Sequence, residues 1–326
     1  MNRKQLQEFI APVEKDLNRF DEITDKVLQA ESPLITNVIK HLLQKKGKRI
    51  RPAISFMVSR AAGLNHPRMV NAALAIELIH TATLLHDDVV DESDTRRGQE
   101  SVNYKWNNLV SVLMGDFFFA KAFRLLVDTD STELVRQVSL ATEKVSFGEL
   151  RQIEETFNWE LDEKEYYNII RDKTASLFSV SSASSSILQN NDRKRIKEFS
   201  SFGERIGKAF QIADDILDLV GDTSKTGKGV GLDLLQGKVT LPLIYTLKKG
   251  PQENVKDLLG ILNNGLNQKS LKKVVKYIND SGGIEYARKK AAYLGNQSLD
   301  FISEFPHSRY RESLENLIVF TINRDN

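Results

Sequence analysis

The chain has 326 residues, 40% of them hydrophobic, with 46 basic against 44 acidic side chains and a net charge of +2. That apolar share is enough to build a sizeable core, and the near-even charge balance lacks the basic surplus of a nucleic-acid binder. The absence of cysteine excludes disulfide scaffolds, thiol nucleophiles, iron–sulfur clusters and thiolate zinc sites.

The N-terminal residues are polar and show no signal-peptide segment, so a cytoplasmic location is expected. Phe9, Val13, Leu17 and Phe20 then recur at helical steps, as do Leu34, Val38, Ile39 and Leu42. Residues 67–91 are apolar almost all round, which predicts a buried central helix about 37 Å long. No stretch reads as a clean membrane span: the most apolar run is interrupted by Asn71, Glu77 and His80. Val110, Leu113, Met114, Phe117, Phe118 and Ala122 continue the helical period, with Phe117 to Phe119 read as plain core. A serine tract at 181–186 sits inside a helical pattern, where small residues allow close packing. Ile206, Phe210, Ala213, Leu217 and Val220 form another periodic run, and the glycine-containing stretches 221–237 and 281–283 read as inter-helix loops. Strict alternation and hairpin signals are missing, and no proline falls between positions 68 and 241. The expectation is an all-α fold of one domain over 1–326.

The apolar helix 67–91 carries a polar stripe of Glu77, His80, Asp87, Asp88 and Asp91. Burying such a stripe is costly unless it meets a ligand, a metal or charged partners. Asp87 and Asp91 lie one turn apart on one face, and carboxylates crowded in this way repel each other unless a cation neutralises them. The spacing repeats as Asp214, Asp215 and Asp218. Two such motifs facing one mouth, with oxygen ligands only, favour Mg2+, which is held by few carboxylates plus substrate phosphates. The pair therefore predicts a diphosphate bridged by several Mg2+ ions. Basic groups stand close by in the sequence: Lys48 and Arg51 one turn apart, Arg96 and Arg97 just after the first motif, Lys173 beside Thr174, and Lys225, Lys228 and Lys238 after the second. Arginine grips phosphate bidentately and lysine supplies a compact charge.

These motifs together, GKRIRP at 47–52, HTATLLHDDVVDESDTRRG at 80–98, GE at 148–149, KTA at 173–175, FQIADDILD at 210–218, GKGVGLDLLQGKVTLP at 227–242 and GG at 282–283, resemble the trans-isoprenyl diphosphate synthases, specifically polyprenyl (octaprenyl-like) synthases of the bacterial type. The resemblance runs from about residue 40 to the C-terminus. Lys46 stands where the family often has a further glycine. The resemblance implies helices around a deep cavity, a homodimer, and Mg2+-assisted ionisation of an allylic diphosphate followed by attack of isopentenyl diphosphate. Carried over by motif, Asp87, Asp91, Asp214, Asp215 and Asp218 would bind Mg2+, with Asp88 beside them. Lys48, Arg51, His80 and Arg97 would bind isopentenyl diphosphate. Arg96, Lys173, Thr174, Gln211, Lys228 and Lys238 would face the allylic diphosphate or the carbocation. Thr174 and Gln211 are polar but uncharged, suited to stabilising a cation without capturing it.

Product length should be set along the central helix. Ala82 and Thr83, just before Asp87, are small where short-chain members of the family often carry an aromatic, and Ile79 lies further down. A medium or long product is expected, with Phe147 as a candidate floor. The alternatives are a farnesyl or geranylgeranyl diphosphate synthase, a terpene cyclase, or a non-catalytic subunit of a heteromeric synthase. The second aspartate motif and the Lys48/Arg51 pair weigh against the cyclase, and the intact aspartates and basic residues against the non-catalytic subunit.

Overall fold

A computed structural model describes residues 3–45, 47–221 and 231–322. Lys46, Lys225 and Lys228 fall outside them. The helices are α1 Arg3–Ile10, α2 Glu14–Val27, α3 Pro33–Gln44, α4 Ile50–Ala61, α5 Met69–Val90, α6 Val102–Lys105, α7 Asn108–Val127, α8 Thr132–Glu154, α9 Glu163–Ile170 and α10 Ser176–Leu188. They continue as α11 Arg193–Val220, α12 Leu232–Leu235, α13 Leu241–Lys249, α14 Gln252–Asn263, α15 Gln268–Asp280, α16 Gly283–Ser303 and α17 Arg309–Ile322. The all-α expectation holds. One short antiparallel ladder escaped the sequence reading: β1 Thr95–Arg96 pairs with β2 Gln99–Glu100. Two-residue strands are too short to show alternation. The turn between them is Arg97 (φ 55°) and Gly98 (φ 69°), the double positive φ of a tight hairpin turn.

Local signals set the helix ends. Pro33 sits at the start of α3 behind Ser32, whose hydroxyl accepts from Ile35 N–H. Asp162 and Asp192 cap α9 and α11 in the same way, at 2.7 Å and 2.8 Å. Pro67 lies in the turn before α5, so the central helix begins at Met69 and is about 33 Å long. By length and composition α5 could cross a membrane, but most of its apolar surface is packed inside the protein, against α7, α10 and α4. The serine tract lies within α10, and residues 181–186 are all buried.

The apolar interior forms two clusters. One gathers α2, α4, α5, α7, α8, α10 and α17 around Ile54, Met57, Ile76 and Phe178. The other gathers α9, α13, α14, α15 and α16 around Leu241, Leu258 and Val274. Helix α11 belongs to both, placing Phe199, Phe202 and Ile206 in the first and Ile212, Ile216 and Leu219 in the second. The second aspartate motif therefore sits at the seam.

Candidate active site

Between α9 and α10 the backbone runs as a π-helical turn over Arg171–Ala175. Such bulges interrupt the regular ladder and recur at functional sites; this one carries Lys173 and Thr174. Two glycines admit it. A Cβ on Gly148 of α8 would lie 2.4 Å from the Lys173 backbone nitrogen, and one on Gly207 of α11 would lie 2.6 Å from Ala175 Cα. With α8 this close, the Lys173 ammonium reaches Glu149 Oε2 and Gln152 Oε1, each at 2.6 Å.

Asp87, on the last turn of α5, faces this group. Burial and the neighbouring carboxylates of Glu149 and Asp91 push its pKa up to about 7, against the opposing pull of Lys173 and Arg96. Asp91 caps α5 and lies 3.4 Å from the Lys238 ammonium, 147 residues away in the chain. Asp214 enters the field around Arg51. Asp87, Asp91 and Asp214 thus belong to one region with Lys173, Lys238 and Arg51, although among the described residues no three carboxylate or histidine groups converge on a single point where a metal ion could sit. That arrangement fits a hard cation whose remaining ligands are water and phosphate oxygens.

The other aspartates are each held by protein groups. Asp88 is buried and accepts from Arg96, whose Nε lies at 2.7 Å. Asp215 is buried and takes Tyr166 Oη–H at 2.6 Å and Gln211 Nε2–H at 2.8 Å, one on each oxygen. Burial and the nearby Asp233 drive its pKa well above the usual carboxylate range. Asp218 accepts from the backbone N–H groups of Leu232 and Asp233 at 3.1 Å and 3.2 Å, tying α12 back onto α11. Thr174 Oγ1 donates to Gln211 Oε1 at 2.7 Å.

Of the residues expected to bind isopentenyl diphosphate, Arg51, Arg97 and His80 lie in one electrostatic neighbourhood. The Arg97 guanidinium lies flat on Gly47, where a Cβ would come within 2.6 Å, so the hairpin touches the 47–52 segment. Arg51 stacks over the Phe178 ring at 4.5 Å, and burial lowers its pKa to about 10. His80 is driven well below its ordinary pKa by burial and by Arg51, Arg97 and Arg96, so it is neutral. Lys48 sits at the exposed rim. Glu77, raised by burial, is the main opposing charge acting on both Arg51 and Arg97.

Two cavities flank these groups. One, of about 610 Å3, is lined by Gln152, Tyr166, Lys173, Thr174, Gln211 and Lys238. The other, of about 1030 Å3, lies between α2, α3 and α5 behind Glu77, Asp88, Arg96 and Arg97. On α5, Ile79 and Ala82 are fully buried, while Thr83 is half-buried with its hydroxyl on His80 O at 2.9 Å. Phe147 is not a cavity floor: it is 51% exposed on α8, under the Arg151 guanidinium.

Glu149, Gln152 and Tyr166 belong to the site and were missed as site residues. Glu149 stood in a recognised motif, and Tyr166 precedes Thr174 by two helical turns, a spacing that puts both on one face.

Residues 32–278 match the family Polyprenyl synthetase. The chain belongs to that family. It is 36% identical over 323 residues to an all-trans-nonaprenyl-diphosphate synthase (geranyl-diphosphate specific) of Rhodobacter capsulatus, covering 98% of each chain. It is 33% identical to the octaprenyl diphosphate synthase of Escherichia coli over the full length of both. Among solved structures it is similar to a polyprenyl synthase from Caulobacter crescentus complexed with calcium and isoprenyl diphosphate, with a TM-score of 0.90, 31% identity and 98% of each chain covered.

Proposed function

We propose that this chain is a trans-polyprenyl diphosphate synthase that condenses isopentenyl diphosphate head-to-tail onto an allylic diphosphate, with Mg2+, to a product longer than geranylgeranyl diphosphate. The observation that carries the reading is Asp87, half-buried beside Glu149 and Asp91 and held near pKa 7, with Lys173 and Lys238 on the neighbouring carboxylates. Such a cluster is poised to exchange its internal ion pairs for a divalent cation and a diphosphate.

Asp87, Asp91 and Asp214 would hold Mg2+, three ions with the diphosphate bound. Bound there, the metal supplies Lewis-acid stabilisation to the leaving diphosphate. Lys173, Lys238, Arg96 and, outside the described residues, Lys228 neutralise the allylic diphosphate. Lys48, Arg51, Arg97 and neutral His80 bind the second diphosphate. Thr174 and Gln211 present oxygens to the carbocation. The small side chains of Ala82 and Thr83 above Ile79 support a long hydrocarbon path along α5, in line with the nonaprenyl, octaprenyl and solanesyl names among the relatives. We further propose a single domain spanning 1–326, a homodimer, and a cytoplasmic location, the last supported by the burial of α5.

The test incubates purified protein with Mg2+, isopentenyl diphosphate and an allylic primer, following pyrophosphate release and product size. Release only when both substrates are present, with products beyond geranylgeranyl, is expected. Release from the allylic substrate alone would establish the cyclase reading, and a dominant farnesyl or geranylgeranyl product would refute the long chain.

A further inference from the structure

We propose that Tyr166 is a positioning residue for the reaction, acting through Asp215 and Gln211 on the Thr174 hydroxyl. The inference rests on the synthase reading above and assigns Asp215 the task of holding protein groups in place. The path is a continuous chain of hydrogen bonds across three segments: Tyr166 Oη–H to Asp215 Oδ2 at 2.6 Å, Gln211 Nε2–H to Asp215 Oδ1 at 2.8 Å, and Thr174 Oγ1–H to Gln211 Oε1 at 2.7 Å.

Each link fixes the next. A side-chain amide has one donor end and one acceptor end. The Asp215 carboxylate accepts from the amide, so it demands the NH2 end of Gln211 and turns Oε1 toward Thr174. Oε1 in turn takes the Thr174 hydroxyl proton, which leaves the lone pairs of that oxygen for the cavity Thr174 lines. An oxygen so oriented stabilises a carbocation without a proton pointing at it. Tyr166 is the anchor. Its hydroxyl is the protein donor on Asp215 Oδ2, and both residues are almost completely buried, at 3% and 4% exposure. A buried carboxylate oxygen stripped of its donor is costly, so without the phenol Asp215 turns to find another and Gln211 loses its fixed orientation. The Tyr166 backbone is equally constrained: it lies on α9, capped by Asp162, and the π turn follows directly.

The experiment compares Tyr166→Phe, which removes one oxygen, with parent protein and with Tyr167→Phe, the loss of a neighbouring phenol outside the chain of bonds. Tyr166→Phe should lower kcat about fivefold or more, as expected for losing a buried hydrogen bond, with KM for both diphosphates within about twofold. Tyr167→Phe should match the parent. In a Thr174→Val background the same Tyr166→Phe change should cost less than about threefold, because the group it positions is gone. A merely structural tyrosine would lower the melting temperature while its kinetic cost stayed the same in both backgrounds, and that outcome, or parent-like kcat, overturns the proposal. Parent protein that releases no pyrophosphate refutes the synthase reading instead. The relay is then judged by the crystal structure of Tyr166→Phe, where Asp215 and Gln211 moved away from Thr174 supports it and unchanged positions overturn it.

Discussion

Asp87 shows how a single position joins stability to function. Its folded pKa is near 7, against an unfolded value of 3.8, because it is half-buried beside Glu149 and Asp91. A carboxyl raised in this way favours the folded state when protonated and costs stability as it ionises. The cost is absent well below pH 4, grows between about pH 4 and 7, and levels off above pH 7. Asp87→Asn carries no such titration. In metal-free protein its melting temperature should equal that of the parent near pH 4, exceed it increasingly up to pH 7, and stay ahead by a constant margin at pH 8, even though turnover is lost. A difference that does not vary with pH would mean that Asp87 is solvated rather than crowded. The sequence showed the pairing of Asp87 with Asp91 through their one-turn spacing. It could not show Glu149 as the third carboxylate, because that contact joins α5 to α8 and depends on how closely the helices approach.

The approach of α8 to the π turn is governed by Gly148. A Cβ there would meet the Lys173 backbone nitrogen at 2.4 Å, and neither backbone can give way cheaply. Gly148→Ala must therefore push α8 away from the π turn, lengthening the contacts of Lys173 with Glu149 and Gln152. Overpacking of this kind costs roughly 1–3 kcal/mol. We expect a lower melting temperature by circular dichroism and at least about a tenfold loss of turnover, since small misplacements of catalytic groups are expensive. Unchanged values in both measurements would show that the helices separate freely. The helices themselves were legible in part: apolar periodicity and proline placement located α5 to within a few residues and the middle of α7, but only the C-terminal half of α11, which begins at Arg193. The π turn was not, because Arg171–Ala175 reads as ordinary helix and the bulge arises from packing between α8 and α11. The same holds for the aspartates. Spacing put Asp214, Asp215 and Asp218 on one footing with Asp87 and Asp91, whereas the hydrogen bonds of Asp215 with Tyr166 and of Asp218 with the α12 backbone set two of them apart.

The two apolar clusters are joined by α11, which is why the second motif meets the first across one site. Among the described residues, the outer face of α7 and α8 has no such partner. Leu109, Leu113, Phe123 and Val127 on α7 are 46–68% exposed, and Phe147, Leu150 and Ile153 on α8 are 51–60% exposed. Their helical spacing puts them on continuous stripes, and contiguous apolar surface of this kind marks an interaction face. The same two helices carry the site from behind: α7 packs along α5 and α8 supplies Glu149 and Gln152. A second copy of the chain on this face would bury the stripes and brace α8 against the π turn. Light scattering on the purified protein should therefore give twice the chain mass. Replacing Leu113 and Leu150 together by lysine should give the monomer mass, with turnover falling several-fold while far-ultraviolet circular dichroism stays helical. Parent protein that runs as a monomer at micromolar concentration, or a double variant that remains dimeric, would place the contact elsewhere and leave the exposed stripes to another partner.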